Sequence, residues 1–330
     1  MAKVKSINAL MKYMRENHNI EINGSSHKNK LSSLGYYHGF KGYRFIRDKQ
    51  MPIQFKNFNE VIAINKLDMD LKALIYPKIM FIEMAIKNYT LEKILDNCGK
   101  SDFNSVYETL LTAYNEQQNN QKDFKKKLAN RLRLRDQIHT SMTREFNKSK
   151  SVIEHFYIKE RHVPIWAIFE IITMGELGNF IACLKKDVRE QISKEIKLNM
   201  SVDSNSELLH NIIFLLKDLR NSVAHNNIIF DARFKTGKVS KNIALAIEYD
   251  MNIKCSNSTK IFENILDYII LIIYILKGLK VTKTELNRFI TDFESIIEEF
   301  RKSIDISIYN KIFGSNVRNK INELKIYIKK

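Results

Sequence analysis

Residues 220–226, Arg-Asn-Ser-Val-Ala-His-Asn, contain three side chains that could act together on a phosphodiester. His225 can take a proton from a ribose 2′-hydroxyl or give one to a leaving oxygen, because imidazole titrates near neutral pH. Arg220 can bind a phosphate through two donors and stabilise charge in the transition state. Asn221 can orient the imidazole or hold a phosphate oxygen. These residues suit metal-independent RNA cleavage, which leaves a 2′,3′-cyclic phosphate and a 5′-hydroxyl.

The helix that carries this motif separates two of its side chains. A helix at about residues 205–226 is predicted by the apolar stripe Leu209, Ile212, Ile213, Leu216, Leu219 and Val223. Asn221 and His225 lie four residues apart and share a face, whereas Arg220 and His225 lie about 140° apart around the axis. Two such helices that meet about a two-fold axis could gather two Arg and two His around one cleft. The motif therefore favours a homodimer.

Other interpretations of these residues remain open. Arg220 could be a solvated cation, and His225 could stabilise the negative end of the helix dipole. A second Arg and His pair, Arg133 and His139, also has a compatible spacing. Leu134 follows that Arg instead of a polar residue, so we interpret the second pair as a chance match.

The composition favours an all-α fold. The 330 residues are 44% hydrophobic, which is typical of a globular protein, and 3 Pro and 10 Gly leave few residues for turns. The formal net charge of +17 indicates a polyanionic partner, most simply nucleic acid. A general abundance of Lys and Asn is the other explanation of this charge.

The sequence predicts no metal, no cofactor and no membrane association. Cys98, Cys183 and Cys255 lack metal-ligand spacing and suit a reducing cytoplasm. There is no carboxylate pair, metal-ligand cluster or Gly-rich phosphate loop. The N-terminus lacks the apolar run of a signal peptide. The most apolar stretch, residues 268–276, is about half as long as a membrane span needs.

Helical periodicity organises most of the chain. Helices are predicted at 5–18, 58–97, 102–148, 164–184, 205–226, 259–278, 282–303 and 305–328. Pro77 should kink or interrupt its helix. Residues 228–257 could hold at most a short β-hairpin that turns near Gly237. We predict an N-terminal Gly/Tyr-rich subdomain at 1–57 and a helical domain at 58–330, which includes the motif helix and a helical tail from 258 to 330.

Two further segments could bind RNA. One contains Tyr36, Tyr37, Lys41, Tyr43 and Arg44, and the other contains Lys125, Lys126, Lys127, Arg131, Arg133 and Arg135. The tyrosines could stack on bases, or they could pack against the main bundle. The second segment could follow an RNA backbone, or it could be a solvated face. Phe124, Leu128 and Leu132 recur every four residues and predict the apolar side of that helix.

Three other features favour structural roles. Trp166 lies in an apolar segment and is predicted to belong to the core. Glu83 and Lys87 lie four residues apart in the favourable order and predict an ion pair. His210 lies ten residues before Arg220, too far along the helix to serve the same site.

Four segments, in this order, resemble the AbiD/AbiF-like abortive-infection family of bacteria, and they cover most of residues 10–231. LGYYHGFKGYRF is similar to its Tyr-Tyr…Gly-Tyr signature, although His38 and Gly39 depart from the usual residues. The helix from residue 58 resembles its Asp-x2-Leu…Ile-Glu-x3-Lys pattern, which we place on Asp70, Leu71, Glu83 and Lys87. VPIWAIFEIITMGELGNF is similar to its Pro-x-Trp…Gly-x-Leu element. LLKDLRNSVAHNNIIFD is similar to its Leu-Arg-Asn-x3-His segment.

This family belongs to the HEPN superfamily of all-helical nucleases, so the resemblance implies a HEPN-type bundle with extra N-terminal and C-terminal helices. Arg220 and His225 match the superfamily motif, and Asn221 matches its usual polar second residue. The resemblance also implies a homodimeric ribonuclease that acts as a toxin in phage defence. RNA is then the expected partner, as substrate and as a small regulatory RNA like that linked to some members. The alternatives are a non-catalytic RNA-binding protein and a helical protein-interaction scaffold.

Overall fold

The computed structural model describes residues 5–117, 119–148, 151–237, 239–255 and 262–330. These residues form fifteen α-helices and no β-strand, which confirms the predicted all-α fold. The α-helices are α1 (Ile7–His18), α2 (Gly24–Leu34), α3 (Phe58–Cys98), α4 (Phe103–Thr109), α5 (Gln121–Phe146), α6 (Val152–Ile158), α7 (Ile165–Ile171), α8 (Met174–Cys183), α9 (Lys186–Glu195), α10 (Leu208–Ala224), α11 (Lys241–Met251), α12 (Ile265–Gly278), α13 (Lys283–Ser303), α14 (Ile306–Phe313) and α15 (Val317–Lys329). A π-helix spans Gly35–Lys41, and a 3-10 helix spans Ala113–Gln117.

Helix α3 is the central support of the fold. Its 41 residues begin after Asn57, whose side chain accepts a hydrogen bond from the Glu60 N–H at 3.2 Å. The helix ends at Gly99, which adopts a left-handed conformation with φ 65°. It packs against α9, α10, α12 and α13. Pro77 does not interrupt it, because Pro77 lies on an exposed side where water can solvate the carbonyl left without its partner.

Helix α10 carries the motif and packs between α3 and α8. A Cβ at Gly178 would lie 2.8 Å from the Phe214 ring, so the glycine permits the close approach of α8 and α10. The Asn227 N–H donates to the Ser222 carbonyl at 2.8 Å, and Asn226 adopts a left-handed φ of 53°. The motif helix thus exists as predicted, with both ends within three residues of the predicted bounds.

The segment after the motif, which could have held at most a short hairpin, forms a helix instead. The described part of residues 228–257 contains helix α11 and no strand. Ile243, Ala246, Ile247 and Met251 are buried at helical spacing, and Asn252 ends the helix in a left-handed conformation. The apolar residues thus follow the period of a helix rather than that of a strand.

Three predicted helices are divided in the structure. Residues 102–148 form α4, the 3-10 helix and α5. Residues 164–184 form α7 and α8, because Thr173 begins a new helix through a capping box with Glu176. Residues 305–328 form α14 and α15, which meet at Gly314, where φ is 80°. A positive φ favours glycine and ends the helical path.

The N-terminal region shares the core of the rest of the chain. Tyr43 is fully buried in the same apolar cluster as α3 and α10. Arg233 donates to the carbonyls of Gly42 at 2.7 Å and Phe45 at 2.6 Å. The division at residue 57 stays a prediction, and the described residues on both sides of it pack together.

Helix α12 is the most apolar part of the core. Apart from Lys277, its 14 residues are buried. A Cβ at Gly278 would lie 2.2 Å from the Ile196 carbonyl oxygen, so the backbone of α12 touches the end of α9. Among the described helices none has the length and apolar character needed to cross a bilayer.

Candidate active site at the end of helix α10

The three predicted catalytic residues occupy the C-terminal end of α10. His225 is the C-cap and is exposed, and its N–H donates to the Asn221 carbonyl at 2.9 Å. The Arg220 guanidinium is half-buried, and its Nη1 donates to Asn221 Oδ1 at 3.3 Å. The structure therefore joins Arg220 to Asn221 and presents His225 separately at the surface.

A buried carboxylate on α3 contacts Arg220. Glu83 Oε2 lies 3.7 Å from Arg220 Nε, and Glu83 Oε1 lies 3.6 Å from Lys87 Nζ. Lys87 also donates to the Ile172 carbonyl at 2.6 Å. Burial lowers the pKa of Lys87, and the negative charge of Glu83 opposes this shift. The predicted Glu83–Lys87 ion pair is confirmed, and the contact with Arg220 adds a partner that sequence spacing did not reveal.

The Glu83–Arg220 contact is close to becoming a hydrogen bond. Glu83 Oε2 and Arg220 Nε are both buried, and neither has a hydrogen-bond partner among the described residues. Charge-assisted N–H···O bonds are about 2.7–2.9 Å long, so a movement of about 1 Å would form one. A carboxylate on Nε leaves terminal amino groups of the guanidinium for a phosphate. Glu83 is thus placed to orient Arg220.

The segment after the motif is anchored to α3 by Asp68. Asp68 Oδ1 accepts the N–H groups of Ile229 at 2.8 Å and Phe230 at 3.0 Å. Lys72 Nζ lies 2.6 Å from Asp68 and donates to Asn226 Oδ1 at 2.8 Å. These buried contacts fix the chain direction directly after His225.

The family pattern belongs on Asp68 rather than on Asp70. Asp68 and Leu71 have the Asp-x2-Leu spacing, and Asp68 is fully buried. Asp70 lies near the surface, where Lys66 donates to it at 2.7 Å. The placement on Asp70 was therefore wrong.

Two open clefts flank the motif. The first has about 560 Å³ of free space and is lined by Met80, Glu83, Met84, Lys87, Asn88, Leu91, Phe169 and Glu170. The second has about 920 Å³ and is lined by His38, Asp218, Asn221, Ser222, Asn227, Ile228, Arg233, Phe234 and Thr236. Arg220 contacts Glu83 of the first cleft and Asn221 of the second. Asn221 lines the second cleft directly, whereas Arg220 and His225 line neither cleft.

The profile of the Abi-like protein family matches residues 29–231. The chain belongs to the Abi-like protein family. This match extends from α2 through α3 to the anchored segment after α10, so it includes the motif, Glu83 and Asp68. Membership of the Abi-like family indicates a part in abortive-infection defence. No curated protein and no solved structure matches the chain.

An exposed apolar surface adjoins the first cleft of this Abi-like protein. On α3 it consists of Met69, Met80, Phe81 and Met84. Trp166 on α7 is 42% exposed, so the prediction that it belongs to the core was wrong. Helix α7 buries Ile165, Ile168 and Phe169 instead and directs Trp166 outward, where it contacts Phe156 at 5.5 Å. We name Met69, Met80, Phe81, Met84 and Trp166 the methionine face.

Two of the three tyrosines predicted to bind RNA are unavailable to bases. Tyr36 and Tyr43 are buried, and the Tyr43 hydroxyl donates to Asp68 at 3.3 Å. Tyr43 therefore supports the anchor of the motif instead of a ligand. Tyr37, Lys41 and Arg44 remain exposed near the second cleft, where Lys41 Nζ lies 5.0 Å from the Tyr37 ring centre.

The cations of α5 divide into two groups. Lys125, Lys126, Arg133 and Arg135 are exposed. Lys127 and Arg131 turn inward toward His210 at the start of α10, about 15 Å along the helix axis from Arg220. The predicted apolar side of α5 was wrong, since Leu132 is 53% exposed. The buried side consists of Leu134, Ile138 and Met142, which face the neighbouring helices α6, α7 and α8.

Proposed function

We propose that this protein is a metal-independent endoribonuclease of the HEPN type, an effector of abortive-infection defence whose active site is completed by a second copy. One observation carries the proposal: a half-buried Arg220, linked to Glu83 and to Asn221 of the second cleft, lies five residues before an exposed His225 at the end of α10. This set supplies a phosphate ligand and an acid–base group, and both are needed for transesterification of RNA.

The proposed reaction needs two proton transfers. One His225 removes the proton from a 2′-hydroxyl, and the 2′-oxygen forms a bond to phosphorus. The bond from phosphorus to the 5′-oxygen breaks, and the leaving oxygen takes a proton from the His225 of the second copy. Arg220 stabilises the negative charge that develops on the phosphoryl oxygens. The products are a 2′,3′-cyclic phosphate and a 5′-hydroxyl, so no water enters this step.

The methionine face is the surface on which we place the second copy. Met and aromatic residues are enriched at protein interfaces, and this face lies beside Glu83 and Arg220. A single chain offers only one imidazole in the motif. A two-fold axis near this face would bring the second His225 into reach of the same phosphate.

Exposed cations support RNA as the substrate. The formal net charge is +17, and α5 presents Lys125, Lys126, Arg133 and Arg135 to solvent. Lys41 and Arg44 lie near the second cleft with the exposed Tyr37. Phosphate contacts by such side chains give sequence-independent affinity that falls with salt. The same surfaces suit a regulatory RNA.

Cleavage of RNA in EDTA by purified protein tests this function. Arg220→Ala and His225→Ala should each abolish cleavage while leaving the fold intact, because both side chains reach the surface. His139→Ala is the matched control, since this exposed histidine lies on α5, outside the candidate active site. The ends of the products should carry the cyclic phosphate.

Three results would oppose the proposal. Cleavage that persists in His225→Ala would contradict the assignment of the catalytic residues. Strict dependence on added Mg²⁺ would contradict the metal-independent mechanism. Wild-type protein that retains RNA without cutting it would support the non-catalytic alternative.

A further inference from the structure

A second concave site lies at the other end of α10 from the motif. It has about 570 Å³ of free space between α5, α8, α10 and the 3-10 helix. It continues into a neighbouring basin that shares Lys127 and His210 with it. His210 precedes Arg220 by ten residues, or about 15 Å along the helix axis, so this α5–α10 pocket is separate from the candidate active site.

Aromatic rings form part of the pocket lining. Tyr114 lies edge-to-face against Phe124 at 5.6 Å, and Phe214 lies edge-to-face against His210 at 6.1 Å. Tyr114, Phe214 and His210 all face the pocket and remain partly exposed there. Flat aromatic surfaces of this kind bind nucleobases by stacking.

Two cations on the same wall are available to an anion. Lys127 Nζ lies 3.8 Å from Glu116 and 3.7 Å from Glu207, both longer than a hydrogen bond. Glu116 already has a closer partner in the buried Arg189, at 2.9 Å. Arg131 stacks on Tyr107 at 3.8 Å and donates from Nη2 to the Tyr107 carbonyl at 2.8 Å, which holds its guanidinium beside the pocket, 5.2 Å from the Tyr114 ring centre. Its Nη1 is left for an anion. A phosphate could therefore replace the loose contacts of Lys127 with short ones.

Two buried polar atoms of the lining have no hydrogen-bond partner among the described residues: His210 Nδ1 and Arg131 Nε. Both atoms are shielded from the solvent that fills the open pocket, so the functional groups offered to an occupant are the partly exposed parts of the lining side chains. Burial, with help from Arg189 and Lys127, lowers the pKa of His210 to about 4. The imidazole is therefore neutral at neutral pH and can both donate and accept, as the edge of a base requires. The Asn211 amide beside it offers the same two functions.

We propose that the α5–α10 pocket binds a nucleoside monophosphate group, with the base between Tyr114 and Phe214 and the phosphate on Lys127 and Arg131. His210 and Asn211 contact the edge of the base. The group is either a free nucleotide or the 5′-terminal nucleotide of an RNA, because both present the same base and phosphate. This site does not depend on cleavage at Arg220 and His225.

Calorimetric titration of the full chain with 5′-AMP tests the proposal. Wild-type protein should bind with one site per chain, and Lys127→Gln should weaken binding by about tenfold or more, because a charge-assisted contact is lost. Lys122→Gln is the matched control: it removes the same charge from the same helix, but Lys122 is exposed and outside the pocket. Asn211→Asp should also weaken binding, since it removes the amide donor that contacts the base edge and adds a negative charge to the pocket.

The outcomes separate the parts of the proposal. No binding of 5′-AMP at millimolar concentration, or equal binding by the Lys127→Gln and Lys122→Gln variants, overturns the proposal. Inorganic phosphate that binds as tightly as 5′-AMP overturns the role of the base. Preference for a 5′-phosphorylated RNA over both 5′-AMP and the same RNA with a 5′-hydroxyl identifies an RNA end, and preference for 5′-AMP identifies a free nucleotide. Either preference supports the proposed binding site, provided that the preference is lost in the Lys127→Gln variant.

Discussion

Glu83 is the residue that we expect to control the orientation of Arg220. We predict that Glu83→Gln lowers the rate constant of RNA cleavage by about tenfold to hundredfold, because a misplacement of about 1 Å can cost about a hundredfold in rate. The change preserves the shape of the side chain and removes only its charge. Single-turnover cleavage at saturating RNA measures the effect without a contribution from binding.

Glu170→Gln is the control for this prediction. Glu170 lines the same cleft but is exposed, and its replacement should change the rate less than about twofold. Equal rates for Glu83→Gln and wild type, with equal thermal stability, would contradict the positioning role.

His210 should give the stability a pH dependence of definite sign. Its pKa falls from 6.5 to about 4 in the folded protein, so the unfolded chain binds a proton in this interval that the folded protein does not. The stability that comes from keeping His210 neutral is therefore fully present above about pH 6.5. It declines as the pH falls toward 4. The loss from this group is on the order of 2 kcal/mol, since its ring is partly open to the pocket.

Urea unfolding between pH 7 and 4.5 measures this dependence. His210→Gln cannot titrate, so its stability should fall less steeply than that of wild type over this interval. The carboxyl groups are the same in both proteins and provide an internal reference. Parallel curves for the two proteins would contradict the assignment to His210.

The motif was predictable from sequence, but its support was not. Arg220, Asn221 and His225 are local in sequence, and helix geometry already separates Arg220 from His225. Glu83 contacts Arg220 from a different helix, and no spacing rule connects residues so distant along the chain. Asp68 was missed for the same reason, because its partners Ile229 and Phe230 lie on a segment without regular structure.

The contact between α12 and the end of α9 depends on the absence of a side chain at Gly278. A Cβ there would lie 2.2 Å from the Ile196 carbonyl oxygen, and backbone cannot move aside as a flexible side chain can. We predict that Gly278→Ala lowers the free energy of unfolding by about 3 kcal/mol. Thermal or urea unfolding measures the loss.

Gly175→Ala, in α8, is the matched control. The new Cβ would lie 3.3 Å from the Lys217 Cδ, a side chain that can move, and at an ordinary contact distance of 3.8 Å from the Thr173 Oγ1. Alanine favours a helix over glycine by about 1 kcal/mol, so this variant should be neutral or slightly more stable. A similar loss in both variants would show that the helical position, rather than the close contact, determines the cost.

Helices were predictable where one apolar period continues, as along α3 and α10. Their boundaries were not, because the capping box at Thr173 and the left-handed Gly314 divide segments whose apolar pattern continues. Trp166 and Leu132 were predicted to be buried but are exposed. Apolar character alone does not distinguish a core residue from a residue of an exposed apolar surface.

At the scale of the whole molecule, the methionine face should hold the dimer. Met84 is 57% exposed, so Met84→Glu should leave the fold unchanged and bury a charge only in the assembled dimer. We predict a shift from dimer to monomer and loss of RNA cleavage. Analytical ultracentrifugation measures the first effect.

Ile326→Glu provides a comparison. Ile326 on α15 is 56% exposed and lies outside the methionine face, so its replacement should preserve the dimer. A dimer that survives Met84→Glu, or one that Ile326→Glu disrupts equally, would place the interface elsewhere.

The central claim is that two chains share one active site, and a mixed dimer tests it most directly. Wild-type and His225→Ala chains with different tags are co-expressed, and the mixed dimer is purified through both tags. RNA cleavage in EDTA is then compared with that of the wild-type and His225→Ala dimers. We predict that the mixed dimer is nearly as inactive as the His225→Ala dimer, because the reaction needs one His225 from each chain. A mixed dimer with about half of the wild-type activity would contradict a shared site, because each chain would then cleave RNA on its own.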